Sequence, residues 1–244
     1  MSSAPVTLIV PCLNEAAGLP VLLARLSAEN SAREVPWDLL FIDDGSTDET
    51  FRILSDAASA GVLRVVRHEA NRGLGAALRT GFEHAAAPIV VATDSDGTCP
   101  LETLPQLVYQ IEQGADIAIG SPWHPQSGAS DCGYFRTLLS RGASFLYMIV
   151  LGRKLYSWTC MCRAYRGTSL QRLRFNSNGF AAVTEILVHA ALLRYDIREV
   201  PMPLGVRRLG ESKMHVARAI RGHCELLGMA ALSRLRLRPK RGWR

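Results

Sequence analysis

No stretch of this 244-residue sequence is apolar and uncharged for long enough to cross a bilayer. The longest, Gly142 to Gly152, falls short of the roughly 20 residues that a spanning helix needs. The opening Met1-Ser2-Ser3-Ala4-Pro5 has no basic segment ahead of an apolar one, so no secretory signal is expected. The six cysteines (Cys12, Cys99, Cys132, Cys160, Cys162, Cys224) lack paired zinc-ligand spacing, and Cys160-Met161-Cys162 is too tight for a zinc knuckle. They are expected to be reduced intracellular thiols. The glycine spacings of the dinucleotide fingerprint and the P-loop are missing, as are internal repeats and low-complexity linkers. Acids are absent from the last stretch, Arg234 to Arg244, where Arg or Lys falls at almost every second position. Those basic residues lack interleaved aromatics, so nucleic acid is not an expected partner.

What is present suits one large α/β domain, or one domain with a small appendage, either soluble or lying on a membrane surface. An apolar fraction of 48% is ample for a core. A net charge of +6 with pI near 9.2 favours anionic partners such as nucleotides, phosphates and acidic lipid.

The chain centres on Pro88 to Thr98. Ile89-Val90-Val91-Ala92 has no polar alternation and reads as a strand covered on both faces, as in a parallel sheet. It delivers Asp94 and Asp96, separated by Ser95, to a strand end, where α/β sheets bind ligands. A hard divalent cation bridging to a phosphate would relieve the repulsion of two crowded acids; the alternative is a polar turn.

Ahead of it, Val6–Val10 reads as a strand stopped by Pro11, followed by Cys12-Leu13-Asn14-Glu15 and a helix with Leu19, Leu22, Leu23 and Leu26 on one face. Asn14 and Glu15 either face the crevice or cap that helix. Trp37–Ile42 is a second strand running into Asp43-Asp44-Gly45-Ser46-Thr47-Asp48-Glu49. A cap from Ser46 or Thr47 explains the hydroxyls and Glu49 but leaves the two acids, which commonly hold a ribose or base edge at a strand end. Leu63–Val66 is a third strand, and Asn71-Arg72-Gly73-Leu74-Gly75 opens a helix whose N-terminus suits a diphosphate. A helix over Leu101–Ile111 and a strand over Ala115–Ile119 complete an alternation that predicts a parallel sheet with helices on both faces.

Further on, Leu138–Leu151 reads either as a buried core helix or as a groove- or membrane-facing one. Phe180–Leu193 is a helix with Glu185 in its apolar middle, where a carboxylate needs a salt bridge or a chemical role. Glu199–Pro203 is an edge-strand candidate. Arg207 to Lys213 forms a flexible basic loop suited to closing on phosphates. From Val216 on, Ile220, Cys224, Leu227, Ala231 and Leu235 mark one stripe, with Arg218, Arg221, Arg234 and Arg238 off it. Such a helix either docks on an anionic membrane or packs on the domain ahead of a solvated tail.

Pro11-Cys12-Leu13-Asn14-Glu15, Asp43 to Asp48, Asn71 to Ala76 and Asp94-Ser95-Asp96 stand in an order that resembles family 2 glycosyltransferases. Gly179-Phe180 to Glu185 and Arg207-x-x-Gly210-x-Ser212-Lys213 resemble their polyprenyl-phosphate branch, which includes dolichol-phosphate mannose synthase; the likeness covers residues 5–215. It implies a GT-A fold, with a catalytic domain over 1–213 and a basic amphipathic helix and tail over 214–244. The implied reaction is inverting, metal-dependent transfer from a GDP- or UDP-sugar to a polyprenyl phosphate. The implied place is the cytoplasmic membrane face, reached through the basic C-terminus or a partner membrane protein.

By similarity, Pro11, Leu13, Asn14, Glu15, Asn71, Gly73 and Ser95 line the nucleotide-sugar pocket, and Asp43 and Asp44 contact base or ribose. Asp94 and Asp96 hold Mg²⁺ or Mn²⁺, with Thr98 nearby as a ligand. Arg207, Ser212 and Lys213 close over the phosphates. Asp96, Glu185, Arg207 and Lys213 are the candidate catalytic groups, although a lipid phosphate, already an anion, attacks without a strong base. Two positions depart from the family pattern: Pro122 replaces the arginine of Gly-Ser-Arg, and Ser157 replaces the aspartate of Asp-x-Thr-Ser-Gly-Phe-Arg. They motivate two further readings, a transferase with a soluble or protein-bound acceptor and a partner-dependent nucleotide-sugar-binding protein of reduced activity.

Overall fold

The apolar runs become the strands of one seven-stranded sheet. A computed structural model describes residues 4–128, 133–205 and 216–237. In chain order its elements are β1 (Val6–Cys12), α1 (Leu19–Ser31), β2 (Asp38–Asp43), α2 (Thr50–Ser59), β3 (Arg64–Arg67), α3 (Leu74–His84), β4 (Ile89–Ala92), α4 (Leu104–Glu112) and β5 (Ile117–Ser121). Then follow α5 (Tyr134–Leu151), β6 (Arg163–Arg166), α6 (Gly167–Leu170), α7 (Ala181–Leu192), β7 (Ile197–Pro201) and α8 (Val216–Leu237).

The strand order is β3-β2-β1-β4-β6-β5-β7. Every neighbouring pair is parallel except those made by β6, which runs antiparallel to both β4 and β5. Alternate residues of the central strands serve two cores. Leu8 and Val10 of β1, with Ile89 and Val91 of β4, meet α1 and α4 on one side; Ile9, Val90 and Ala92 meet α3, α5, α7 and α8 on the other. Burial on both faces explains why these strands are apolar without alternation.

Several expectations change. β1 does not stop at Pro11; it continues to Cys12, with Pro11 in register with Ile42 of β2. On the β4 side the pairing ends at Ile9–Ala92, so the missing N–H of Pro11 falls where no strand runs alongside. The sheet is mostly parallel, as the GT-A resemblance implies, with β6 inserted antiparallel between β4 and β5. The final strand is at the sheet edge as expected, but covers Ile197–Pro201.

The cysteines are not all free thiols. Cys99, just past the acidic turn after β4, is bonded to Cys162, which leads into neighbouring β6, with Cα atoms 6.5 Å apart. The two are 63 residues apart in sequence, so spacing gives no sign of the pair. Cys12, Cys160 and Cys224 are free.

The helix over 134–151 is not a buried one. Tyr147 and Ser144 turn inward, while Leu138, Phe145, Leu146 and Ile149 are all about half exposed or more. In α8 the inward face carries Leu226 and Ala230; Ile220 and Cys224, expected on that face, are exposed. α8 packs against α7, and against α5 through Tyr147 to His223 and Arg234 to the Ile149 carbonyl.

Candidate active site

The carboxyl ends of β1, β2 and β4 open on one side of the sheet, and a cavity of about 910 Å³ lies over them. Pro11, Leu13, Asn14, Glu15, Asp44, Asn71, Gly73, Asp94, Ser95 and Asp96 all line it, so the structure brings together ten of the expected pocket residues.

The turns after β1 and β2 are stitched to each other. Asn14, held at φ 51, donates its backbone N–H to Ser46 Oγ (2.9 Å) and accepts the Thr47 N–H on Oδ1 (2.8 Å). The Glu15 N–H donates to Thr50 Oγ1 (2.8 Å), and the Ala16 N–H to Asp48 Oδ2 (3.2 Å). The residues at the starts of α1 and α2, Gly18 and Glu49, make no side-chain cap.

The paired acids after β2 separate in function. Asp43 is fully buried, is not among the cavity-lining residues, and accepts the Ser46 N–H (3.2 Å), with Arg67 Nε 3.3 Å from its other oxygen. The Asp43 side chain thus lies against the loop and off the cavity surface. Asp44 does line the cavity, but its oxygens accept from His68 Nδ1 (2.6 Å), the Arg72 N–H (3.0 Å) and the Gly73 N–H (2.8 Å). The start of α3 thus already carries an anion, the Asp44 carboxylate, which corrects its reading as a diphosphate seat. The Gly75 N–H, one residue into α3, donates to the Asn178 carbonyl (2.7 Å). Gly73 sits at φ +91 with the same carbonyl where a Cβ would be, so only glycine fits.

Asp94 and Asp96 lie in the turn after β4, on the cavity surface. The Thr98 hydroxyl lies 2.8 Å from Asp96 Oδ1 and 3.4 Å from Asp94 Oδ2, and its N–H also donates to Asp96 (3.0 Å). Thr98 is buried and off the cavity surface, and its hydroxyl bridges the two carboxylates. Among the described residues no cluster of three or more His, Cys, Asp or Glu is arranged to hold a metal. Two adjacent carboxylate side chains facing a cavity nonetheless fit a hard divalent cation whose remaining oxygens come from a bound diphosphate and water. Cys160 lies close enough for Asp94 to act on it: burial first, then the Asp94 charge, pushes its thiol up to about 12.

Glu185 is not on the cavity surface. It accepts the backbone N–H groups of Asn176 (3.0 Å) and Ser177 (2.9 Å). Arg79 donates to the Ser177 carbonyl (3.1 Å) and to Asn178 Oδ1, so the segment 176–178 is fixed from two sides. Ser157 is buried and lies 3.0 Å from Ser121 Oγ, and Glu199 holds its N–H (3.0 Å); it does not reach the cavity. Arg207, Ser212 and Lys213 lie outside the described residues.

Sequence reasoning misses the far wall. Met161, Ser177, Asn178, Ala219, Arg221, Gly222 and Glu225 also line the cavity. The stripe and charge of α8 are legible, but which face it turns to the site depends on its packing against α7.

The family model for glycosyl transferase family 2 matches residues 7–174. A dolichol-phosphate mannosyltransferase of Pyrococcus furiosus is 30% identical over 86% of this chain, and the match spans 59% of that relative. A polyprenol monophosphomannose synthase of Mycolicibacterium smegmatis is 31% identical over 84% of this chain and 79% of its own length. Among solved structures, glucosyl-3-phosphoglycerate synthase of Mycobacterium tuberculosis in complex with uridine diphosphate superposes with a TM-score of 0.68 at 22% identity, covering 93% of this chain and 81% of that one. That likeness shows the fold, GT-A.

Proposed function

The chain belongs to glycosyl transferase family 2, and from that premise we propose that it moves a sugar from a nucleoside diphosphate to the phosphate of a polyprenyl lipid at a membrane surface. The observation that carries this reading is the cavity itself. Its floor presents Asp94 and Asp96 beside Pro11, Asn14 and Glu15, while its opposite wall is a helix with an apolar exposed face. The relatives named for dolichol-phosphate and polyprenol mannose transfer support the acceptor class.

Asp94 and Asp96 would hold Mg²⁺ or Mn²⁺, which would neutralise charge on the leaving diphosphate. Thr98 holds both carboxylates, and Arg207, Ser212 and Lys213 would bind the phosphates. An acceptor phosphate oxygen forms the new bond to the anomeric carbon as the bond to the diphosphate oxygen breaks. The electron pair leaves with the nucleoside diphosphate. No proton has to be removed, because the attacking oxygen already bears charge. The role left to Glu185 is to hold the 176–178 segment.

No helix among the described residues is long and apolar enough to cross a membrane. Contact with the lipid surface, at its cytoplasmic face, is assigned to the exposed Leu138, Phe145, Leu146 and Ile149 of α5 and to the basic residues that end the chain, or to a partner membrane protein.

The test is a thermal-shift panel of UDP- and GDP-sugars with Mn²⁺, with Mg²⁺ and with EDTA, on the wild type and Asp96→Ala. One donor should stabilise the wild type only with metal, by about 2.7 kcal/mol at a hundredfold excess over its Kd, and should not stabilise Asp96→Ala. The absence of any shift, or one that survives in Asp96→Ala, overturns the assignment.

A further inference from the structure

The cavity is lined by acids on both walls, Glu15, Asp44, Asp94 and Asp96 on the strand side and Glu225 on α8. Among the described residues Arg221 is the one cation on its surface. A donor diphosphate and an acceptor phosphate are both anions, so where this cation stands matters.

Arg221 lies one turn before Glu225, and its Nε donates to Glu225 Oε1 at 2.9 Å. Both side chains are largely exposed, 83% and 62%, and an exposed i,i+4 pair is a weak tether. A guanidinium offers five donors in a planar fork that matches a phosphate in two-pronged fashion, whereas a lone carboxylate bound at Nε leaves that fork largely uncommitted. Gly222, the next residue, lies so close to the start of α7 that an added Cβ would come within 3.1 Å of Ala181. Arg221 is thereby set at the cavity rim beside Phe180 and Ala181. Ser121 and Pro122 at the end of β5 are buried, and Ser121 is bound to Glu199.

Beyond Glu225 that helix face carries two large apolar side chains. Gly222, Glu225, Met229 and Leu232 recur at intervals of three and four and so lie along one side of α8. Met229 is 54% exposed and Leu232 59%. A cation at the cavity rim continued by large exposed apolar side chains suits a molecule with a phosphate head and a hydrocarbon tail.

We propose that Arg221 grips the phosphate monoester of the acceptor, giving up Glu225 to do so, and that the acceptor's hydrocarbon chain runs over Met229 and Leu232. The inference rests on the transfer to a lipid phosphate proposed above, and adds which residue of this chain holds that phosphate. Glu225 acts as a resting counter-ion: it keeps the guanidinium at the rim in the absence of acceptor and returns to solvent when a phosphate replaces it.

The test uses the full chain with three probes: farnesyl phosphate in detergent micelles, farnesol in the same micelles, and glycerol 3-phosphate in buffer. Wild type, Arg221→Gln, Arg221→Lys and Glu225→Gln are compared, with the donor-dependent thermal shift as the control for folding and for the donor site. Arg221→Gln should weaken farnesyl phosphate binding about tenfold, about 1.4 kcal/mol, leaving farnesol binding and the donor shift unchanged. Arg221→Lys should recover part of the loss, and Glu225→Gln should tighten binding about two- to threefold. If the wild type prefers farnesyl phosphate to farnesol but Arg221→Gln does so equally, the Arg221 assignment fails and the transfer reading stands. If the wild type shows no such preference, the lipid-phosphate reading itself fails. If glycerol 3-phosphate binds as tightly as farnesyl phosphate and depends on Arg221, the hydrocarbon track is overturned in favour of a soluble phosphate monoester.

Discussion

On the strand side of the cavity Asp44 is 3% exposed and accepts from a histidine and two backbone N–H groups; on the helix side Arg221 is 83% exposed and paired with a neighbour one turn away. The same contrast runs through both walls. Asn14, Ser46, Thr47 and Asp48 tie the turns after β1 and β2 together, and Thr98 locks the two carboxylates, whereas α5 and α8 show water several large apolar side chains. The strand wall suits a ligand of fixed shape that must be met by preorganised groups. The helix wall suits one that is long, flexible and only partly enclosed.

The largest effect expected from breaking this contrast is at Asp44. Replacement by Ala would strand the buried His68 ring, at about 1–3 kcal/mol, and remove the side-chain acceptor of the exposed Arg72 N–H, while the Gly73 N–H keeps Asn71 Oδ1. Chemical denaturation should read a loss of about 2–3 kcal/mol, together with loss of the donor-dependent thermal shift. A loss under about 1 kcal/mol would show that the network is not the framework of that wall. Next comes the seam between the walls. An added Cβ at Gly75 would lie 2.0 Å from the Ser177 carbonyl oxygen and 2.7 Å from the Ala182 Cβ. Gly75→Ala should cost about 1–3 kcal/mol as an overpacked contact and weaken donor and acceptor binding together, because it moves the segment both ligands share. An effect on one ligand alone would place the seam elsewhere.

The smallest effect on stability is expected on α5. Phe145→Ser with Ile149→Ser should change unfolding free energy by no more than about 0.5 kcal/mol per site. The same pair should sharply reduce co-sedimentation with anionic phospholipid vesicles. Unchanged sedimentation would remove α5 from the membrane surface and leave that contact to the basic tail or a partner.

The contrast also sets what is legible in the sequence. β1, β2, β4 and β5 announce themselves as apolar runs because both faces are buried, and polar residues at their ends then fall at the crevice by topology. β6 does not announce itself: Arg163-Ala164-Tyr165-Arg166 has no apolar run, yet Arg163 is fully buried, its guanidinium donating to the carbonyls of Trp158 and Val183. Asp43 and Asp44 look interchangeable as letters, but adjacent residues at a strand end point to opposite sides, so one enters the cavity and the other turns into the loop. Glu185 looks like a stranded charge because backbone N–H partners are invisible in a sequence. Met161, Asn178 and Arg221 reach the site from segments far along the chain, placed there by the packing of α7 and α8.

The insertion of β6 between β4 and β5 also sets a timetable for synthesis. Once Ala92 has been made, β3, β2, β1 and β4 can pair among themselves, and the carboxylates of the next turn follow within a few residues. The exposed edge of β4, however, has no strand to cover it until Arg163–Arg166 emerges, and β5, made in between, has only later strands for neighbours. At ordinary elongation rates a bare apolar edge therefore stands open for roughly 4–15 seconds on each ribosome. Unpaired strand edges recruit other chains, so neighbouring ribosomes on one message are where this protein is most exposed to aggregation, and early chaperone binding over residues 89–92 is where it is best protected.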